Sequence, residues 1–181
     1  MRASLALAVV LLTAVPSFAG VPELEDKTFD AISVGVPKGW SIKTQSGNGT
    51  QMFMAQRPPG ADDSPAVVVT VTPDGATATE DQLVTAILSQ LGKSAKVTKR
   101  ESLQGGGTQV IADGAAGKVP VRLGAVVLAR DGHAVTISLI ATPADFESLG
   151  GMKFVVATLG SIKPAKTAAP ANADPKPAKT K

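Results

Sequence analysis

The chain has 181 residues, no cysteine, and 18 Lys and Arg against 15 Asp and Glu, a formal net charge of +3. Without cysteine there are no disulfides, thiolate metal ligands, cysteine nucleophiles or lipid-modified cysteine, so stability rests on an ordinary apolar core. The basic excess sits at the ends: residues 20–163 carry 13 basic and 14 acidic side chains, a near-neutral body without clustered arginines that lacks the electrostatic footprint of a nucleic-acid binder.

The amino terminus opens on Met1-Arg2, continues through the apolar stretch Leu5–Val15, and places small residues at Ser17 and Ala19 before Gly20. A charged start, a short apolar run and a small-residue cleavage site are the pattern of a secretory signal peptide over residues 1–19. The apolar run is shorter than the roughly 20 residues a spanning helix needs. The mature chain is therefore expected to begin at Gly20, to be periplasmic or secreted, and not to span a membrane.

From Phe29 to Val36 the sequence FDAISVGV sets Ile32, Val34 and Val36 on one face at period two, the mark of a half-buried strand. Pro37 cannot donate to a sheet ladder and Gly39 allows a tight turn, so the strand stops there. Trp40-Ser41-Ile42 then resumes the alternation. Trp40, the lone tryptophan, is expected to plug one end of the sheet; the competing reading has its indole lining a ligand or peptide groove.

The next strands are Thr50–Gln56 and Ala66–Thr72. Met52 and Met54 project from one face of the first, and paired thioethers suit Cu(I), the basis of an alternative reading as a small metal-handling protein. Methionine also fills cores, and Phe53 on the other face suggests a strand buried on both sides, which favours packing. The intervening loop RPPGADDSP is prolyl and charged; Arg57, Asp62 and Asp63 in it are candidate partner contacts.

Thr79 followed by Gln82 forms a capping-box signature, and Leu83, Val84, Ile87, Leu88 and Leu91 repeat at helical spacing until Gly92 stops the helix. Strands are then expected at Lys96–Leu103, Thr108–Ala112, Val119–Ala129 and His133–Ala141, with Asp131-Gly132 as a hairpin turn. Gly105-Gly106-Gly107 lacks the Lys-Ser/Thr of a phosphate-binding loop and leads into a strand, so it is read as a hairpin loop.

His133 is the sole histidine. A zinc site wants three or four ligands at suitable spacing, and one histidine among scattered carboxylates does not supply them. Asp131, His133 and Ser138 form a hydrolase triad only on paper, with no nucleophile-elbow motif around the serine. His133 is read as an exposed hairpin residue and a candidate contact; no catalytic, metal or cofactor residue is expected.

Thr142 and Pro143 open a second helical region that breaks at Gly150-Gly151 and resumes from Met152 to about Gly160. Residues 164–181, PAKTAAPANADPKPAKTK, have no large apolar side chain and should not pack; Lys166, Lys176, Lys179 and Lys181 suit a spacer or a weak tether to anionic wall or lipid.

Strands with two main helices on an antiparallel sheet make an α+β chain with one domain over residues 20–163. The strand F-x-x-I-S-V-x-V-P-K-G-W, the capped mid-chain helix, the long hairpin and the T-P-x-D-F opening of the last helices resemble the PsbP-like α/β/α sandwich. That group includes DcrB-like and LpqN-like bacterial envelope proteins and the Ran-binding import factor of the Mog type. The resemblance spans about residues 28–163. It implies a sheet of six to seven strands and a non-catalytic binding, adaptor or assembly role with an envelope protein as partner. It carries over no cofactor and no catalytic residue.

Overall fold

The computed structural model describes residues 20–29, 32–47, 50–58, 65–72, 78–104, 106–130 and 133–164. The expected signal peptide, the tail beyond Pro164 and the loop residues Asp62 and Asp63 lie outside the described residues, while Pro164, expected in the unpacked tail, pairs with Ile32.

The segment expected as one strand from Phe29 to Val36 is instead a hairpin. Strand β1, Leu24–Phe29, runs antiparallel to β2, Ile32–Pro37, with Phe29 opposite Ile32. Three consecutive charged residues, Glu25-Asp26-Lys27, hide β1 from a hydrophobic pattern search, yet Glu25 and Lys27 share a face and pair at 3.1 Å. Their ion pair holds Glu25 below the usual carboxylate range. In β2, Val34 and Val36 are wholly buried.

A seven-stranded antiparallel sheet follows from β3 (Ser41–Gly47), β4 (Thr50–Gln56), β5 (Ala66–Thr72), β6 (Lys96–Ser102), β7 (Thr108–Ala116), β8 (Val119–Arg130) and β9 (His133–Ala141). Its order is β3-β4-β5-β9-β8-β7-β6: two meanders joined by the β5–β9 pairing. Helix α1, Glu80–Ser89, links the meanders, followed by a 3-10 turn at Gly92–Ser94. Helices α2, Pro143–Ser148, and α3, Met152–Gly160, follow β9, and β10, Lys163–Pro164, adds to β2. The hairpin β1–β2 thus belongs to a separate three-stranded sheet, β1-β2-β10, rather than to the large one.

The helix signals operate as expected. Thr79 Oγ1 accepts from the Gln82 amide and Gln82 Oε1 accepts from the Thr79 amide, closing the capping box of α1. Thr142 caps α2 with Pro143 in its first turn. Gly150 and Gly151 both take positive φ, +89° and +54°, which separates α2 from α3.

Strand alternation builds two cores, one on each face of the large sheet. On one face Val126 of β8 packs with Phe53, Val67, Val69, Ile137, Leu139, the helices α2 and α3, and Val34 and Val36 of the small sheet. On the other, Val121, Leu123, Ala125 and Val127 of β8 meet Val110, Ala112 and the apolar side of α1 at Val84, Ile87 and Leu91. Helices on opposite faces of one antiparallel sheet are the expected α/β/α sandwich.

Each helix layer presses on a glycine of the sheet. A Cβ at Gly124 would lie 2.7 Å from both Phe146 Cζ and Met152 Sδ, and one at Gly114 would lie 2.7 Å from Leu91 Cβ. Hydrogen is the only substituent that fits at these closest approaches.

Among the described residues one buried side-chain polar atom is unsatisfied. Thr158 of α3 is fully buried and its Oγ1 has no hydrogen-bond partner. A buried unpaired hydroxyl costs about 1–3 kcal/mol. Thr158→Val keeps the shape and removes the hydroxyl, so it should raise the unfolding free energy by about 1 kcal/mol, measured by urea unfolding.

Candidate functional site

The small sheet does not cover the first face to its edge. At the tip of the β1–β2 hairpin, Phe29 reaches across to β4 and stacks on Phe53, ring centroids 4.3 Å apart and 5° from parallel. Phe53 is 3% exposed because its strand neighbours and Phe29 enclose it. Beside this stack a cleft of about 370 Å³ opens, a size suited to a small ligand or a large side chain.

Thr28, Phe29 and Ile32 form one wall. The other is made by Thr44 and Ser46 of β3, Gln51, Met52 and Phe53 of β4, and Val71 of β5. These walls have an aromatic and aliphatic floor and a hydroxyl and amide rim, and the described residues contribute no carboxylate, ammonium, guanidinium or imidazole to them. Such a surface desolvates an uncharged group at little cost.

Thr44 and Ser46, exposed members of the lining, belong to β3, an edge strand of the large sheet. Seven consecutive residues of β3 pair with β4 without a register shift. At the opposite edge β6, sequence KVTKRES, is exposed throughout and shifts register between Val97 and Lys99. Charges and bulges blunt a sheet edge against further pairing, so β6 is protected and β3 much less so.

Of the described residues singled out as candidates in the sequence, Met52 alone lines this cleft. Trp40 sits at the other end of β3, half-buried against the first core, its indole edge-on to Phe154 with centroids 6.3 Å apart. Its amide donates to Pro37 O at 3.1 Å, closing the turn that Gly39 makes at φ +79°. Arg57 donates to Asp145 Oδ1 at 2.8 Å, and its amide donates to Pro65 O, so its guanidinium ties the base of the β4–β5 loop to α2. His133 pairs through its backbone with Arg130 at the start of β9, and its side chain lies outside the described residues.

Met52 and Met54 do share a face, but that face is half-buried instead of enclosed. Their cross-strand neighbours are Gln45 and Thr70 for Met52, Lys43 and Val68 for Met54. The ammonium of Lys43 alongside Met54 works against a metal cation there, and Met152 belongs to the opposite face, against Gly124. Among the described residues no three His, Cys, Asp or Glu side chains gather at a possible metal position.

No protein-family model matches the sequence, and no curated protein matches it. Among solved structures, cyanobacterial PsbP (CyanoP) from Synechocystis sp. PCC 6803 superposes with a TM-score of 0.54 at 14% identity, over 83% of this chain and 98% of that one. The chain has a PsbP-like fold. Also similar are a protein of unknown function from Pseudomonas aeruginosa described as a putative regulator (TM-score 0.45, 16% identity, 83% and 99% covered), and LpqN of Mycobacterium tuberculosis, described as involved in cell envelope biogenesis (0.44, 14%, 78% and 91%). No described helix is long and apolar enough to cross a membrane.

Sequence reading missed the most elaborate polar cluster of this PsbP-like sandwich. Arg122 of β8 donates from Nε and Nη2 to the two carboxylate oxygens of Asp113 on β7, at 2.8 and 3.3 Å, and from Nη1 to Glu147 Oε1 of α2 at 2.9 Å. Its guanidinium carbon stands 6.0 Å from the centre of the Phe146 ring. The cluster clamps α2 onto the sheet beside Gly124. No local pattern announces it, since its members come from two strands and a helix.

The hydrogen bonds from Arg122, more than their Coulomb attraction, hold the Asp113 carboxyl below its ordinary 3.8, and Asp113 in turn raises Arg122. A carboxylate with a depressed folded pKa stabilises fully above its unfolded value, and the contribution disappears as pH falls through the folded value. The pair is partly exposed and screened, so Asp113→Asn should cost about 1 kcal/mol or less at pH 7. That difference from the parent should shrink below about pH 4 and vanish in stronger acid, as followed by urea unfolding at a series of pH values.

Proposed function

We propose that the protein is an exported, non-catalytic binding or adaptor module of the bacterial cell envelope, holding a protein or small-ligand partner in the cleft between its two sheets. The observation that carries this reading is the cleft itself: an aromatic floor and a rim of hydroxyls and one amide, with no ionisable group among the described residues of its walls. An uncharged group gains burial against Phe29 and Phe53, and the described wall residues are suited to holding such a group. The export reading rests on the charged start, apolar run and small-residue site of residues 1–19.

Site-specific photo-crosslinking in intact envelopes tests it. A crosslinker at Ser46, at the cleft mouth, should give a discrete product that is lost in Phe29→Ala; one at Val97, on the opposite edge, should not. Equal labelling from both positions, or none from Ser46, would overturn the assignment. A chemical turnover by the purified protein that survives Phe29→Ala would place its activity elsewhere and overturn it as well.

A further inference from the structure

We propose that the outer edge of β3 accepts an extended segment of a partner polypeptide as an additional strand, with one apolar side chain entering the Phe29/Phe53 cleft and an adjacent acidic residue meeting Lys43. The inference rests on the binding-module reading and names how the partner docks.

An edge strand leaves alternate backbone N–H and C=O groups unpaired, a ready template for another strand. Among the described residues nothing pairs with the outer edge of β3, and its ladder to β4 is regular over seven residues. Alternation places Thr44 and Ser46 on the cleft side and Lys43 and Gln45 on the other. A strand added beside β3 therefore points every second side chain toward the cleft mouth and the ones between toward Lys43.

Those two sides differ in chemistry, and the difference selects the occupant. The described residues of the cleft side carry no charge and floor it with two phenyl rings, so it takes an apolar side chain. The far side holds Lys43, which, like Lys93, Lys96, Lys118 and Lys153, has no ion-pair partner among the described residues, and which alone of these lies on β3 beside the cleft. An opposite charge directly across a strand pair stabilises the pairing. A second copy of this chain fits less well, because β3 itself, SIKTQSG, contains no carboxylate to place opposite Lys43.

The probe is the peptide acetyl-Ser-Thr-Asp-Leu-Asp-Thr-Ser-amide, whose symmetry about leucine presents an aspartate to Lys43 in either strand direction. Added to the 15N-labelled mature chain, it should slow hydrogen exchange at alternate amides of residues 41–47 and shift the Phe29 and Phe53 ring signals. Lys43→Glu should weaken binding about fivefold, a peptide with lysine in place of aspartate should recover it, and both effects should fade in high salt.

Absence of binding, binding without added protection in β3, indifference to Lys43→Glu, or a dimer that protects β3 without peptide would each overturn the proposal. The crosslink from Ser46 is scored independently. A retained crosslink alongside a failed peptide experiment rejects strand addition alone, whereas a lost crosslink rejects the binding-module reading beneath it.

Discussion

Phe154→Ala should lower the unfolding free energy by about 3–5 kcal/mol, the range for removing a large aromatic side chain from a core that collapses only partly into the space left behind. Phe154 has no exposed surface and lies among the largest wholly buried side chains. It projects from α3 into the first core, where that helix meets β8, β9 and the small sheet. It also backs the half-buried Trp40, which as the only tryptophan reports the change directly through its fluorescence. Trp40→Ala should cost less than Phe154→Ala, because part of the indole already faces water. The double variant should be less destabilised than the sum of the singles by about 0.5–1.5 kcal/mol, the coupling of an edge-to-face aromatic pair. Strict additivity in urea unfolding would mean that Trp40 does not pack on Phe154.

Gly124→Val sets two effects against each other. Valine favours strands and glycine does not, a preference spanning about 1 kcal/mol. Yet even a Cβ at this position would come within 2.7–2.8 Å of Phe146 ring carbons and Met152 Sδ, and the two methyls of valine make the intrusion worse. Overpacking a tight core costs about 1–3 kcal/mol and sometimes more. Steric cost should prevail, with a net loss of about 2 kcal/mol and a displaced α2. The Arg122–Glu147 ion pair, at 2.9 Å from the same helix, should open with it. Gly47→Ala provides the control, since a Cβ there meets nothing within 4 Å and the glycine has no positive φ; its midpoint in urea should stay near the parent's. If Gly124→Val matched the control, the close seat of α2 on β8 would be wrong.

Local signals carried much of this architecture into view. Thr79 and Gln82 mark the start of α1 because both halves of a capping box lie within four residues. Thr142-Pro143 and Gly150-Gly151 mark the bounds of α2 for the same reason. The strands from Thr50 to Ala141 were legible wherever apolar residues alternate at period two. The hairpin β1–β2 was not, because Glu25, Asp26 and Lys27 interrupt that alternation, and its ladder depends on Ile32–Pro37 across the turn. Nor could the cleft be read from the sequence. Phe29 and Phe53 are ordinary core residues by pattern, and only the pairing of separate strands stacks them. Likewise, the Arg122–Asp113–Glu147 clamp and the tight contact at Gly124 depend on where α2 lands. Trp40, singled out for its rarity, lies away from the cleft because its turn is at the opposite end of β3.

The small sheet joins residues far apart along the chain. Ser33 pairs with Lys163, the Gly35 amide donates to Ser161 Oγ at 2.7 Å, and Lys163 meets Asp26 at 3.1 Å. The partners of β2 in β10 and at Ser161 lie more than a hundred residues later in the chain than Ser33 and Gly35. Such distant closure slows folding. The small sheet therefore closes only once the segment after α3 is present.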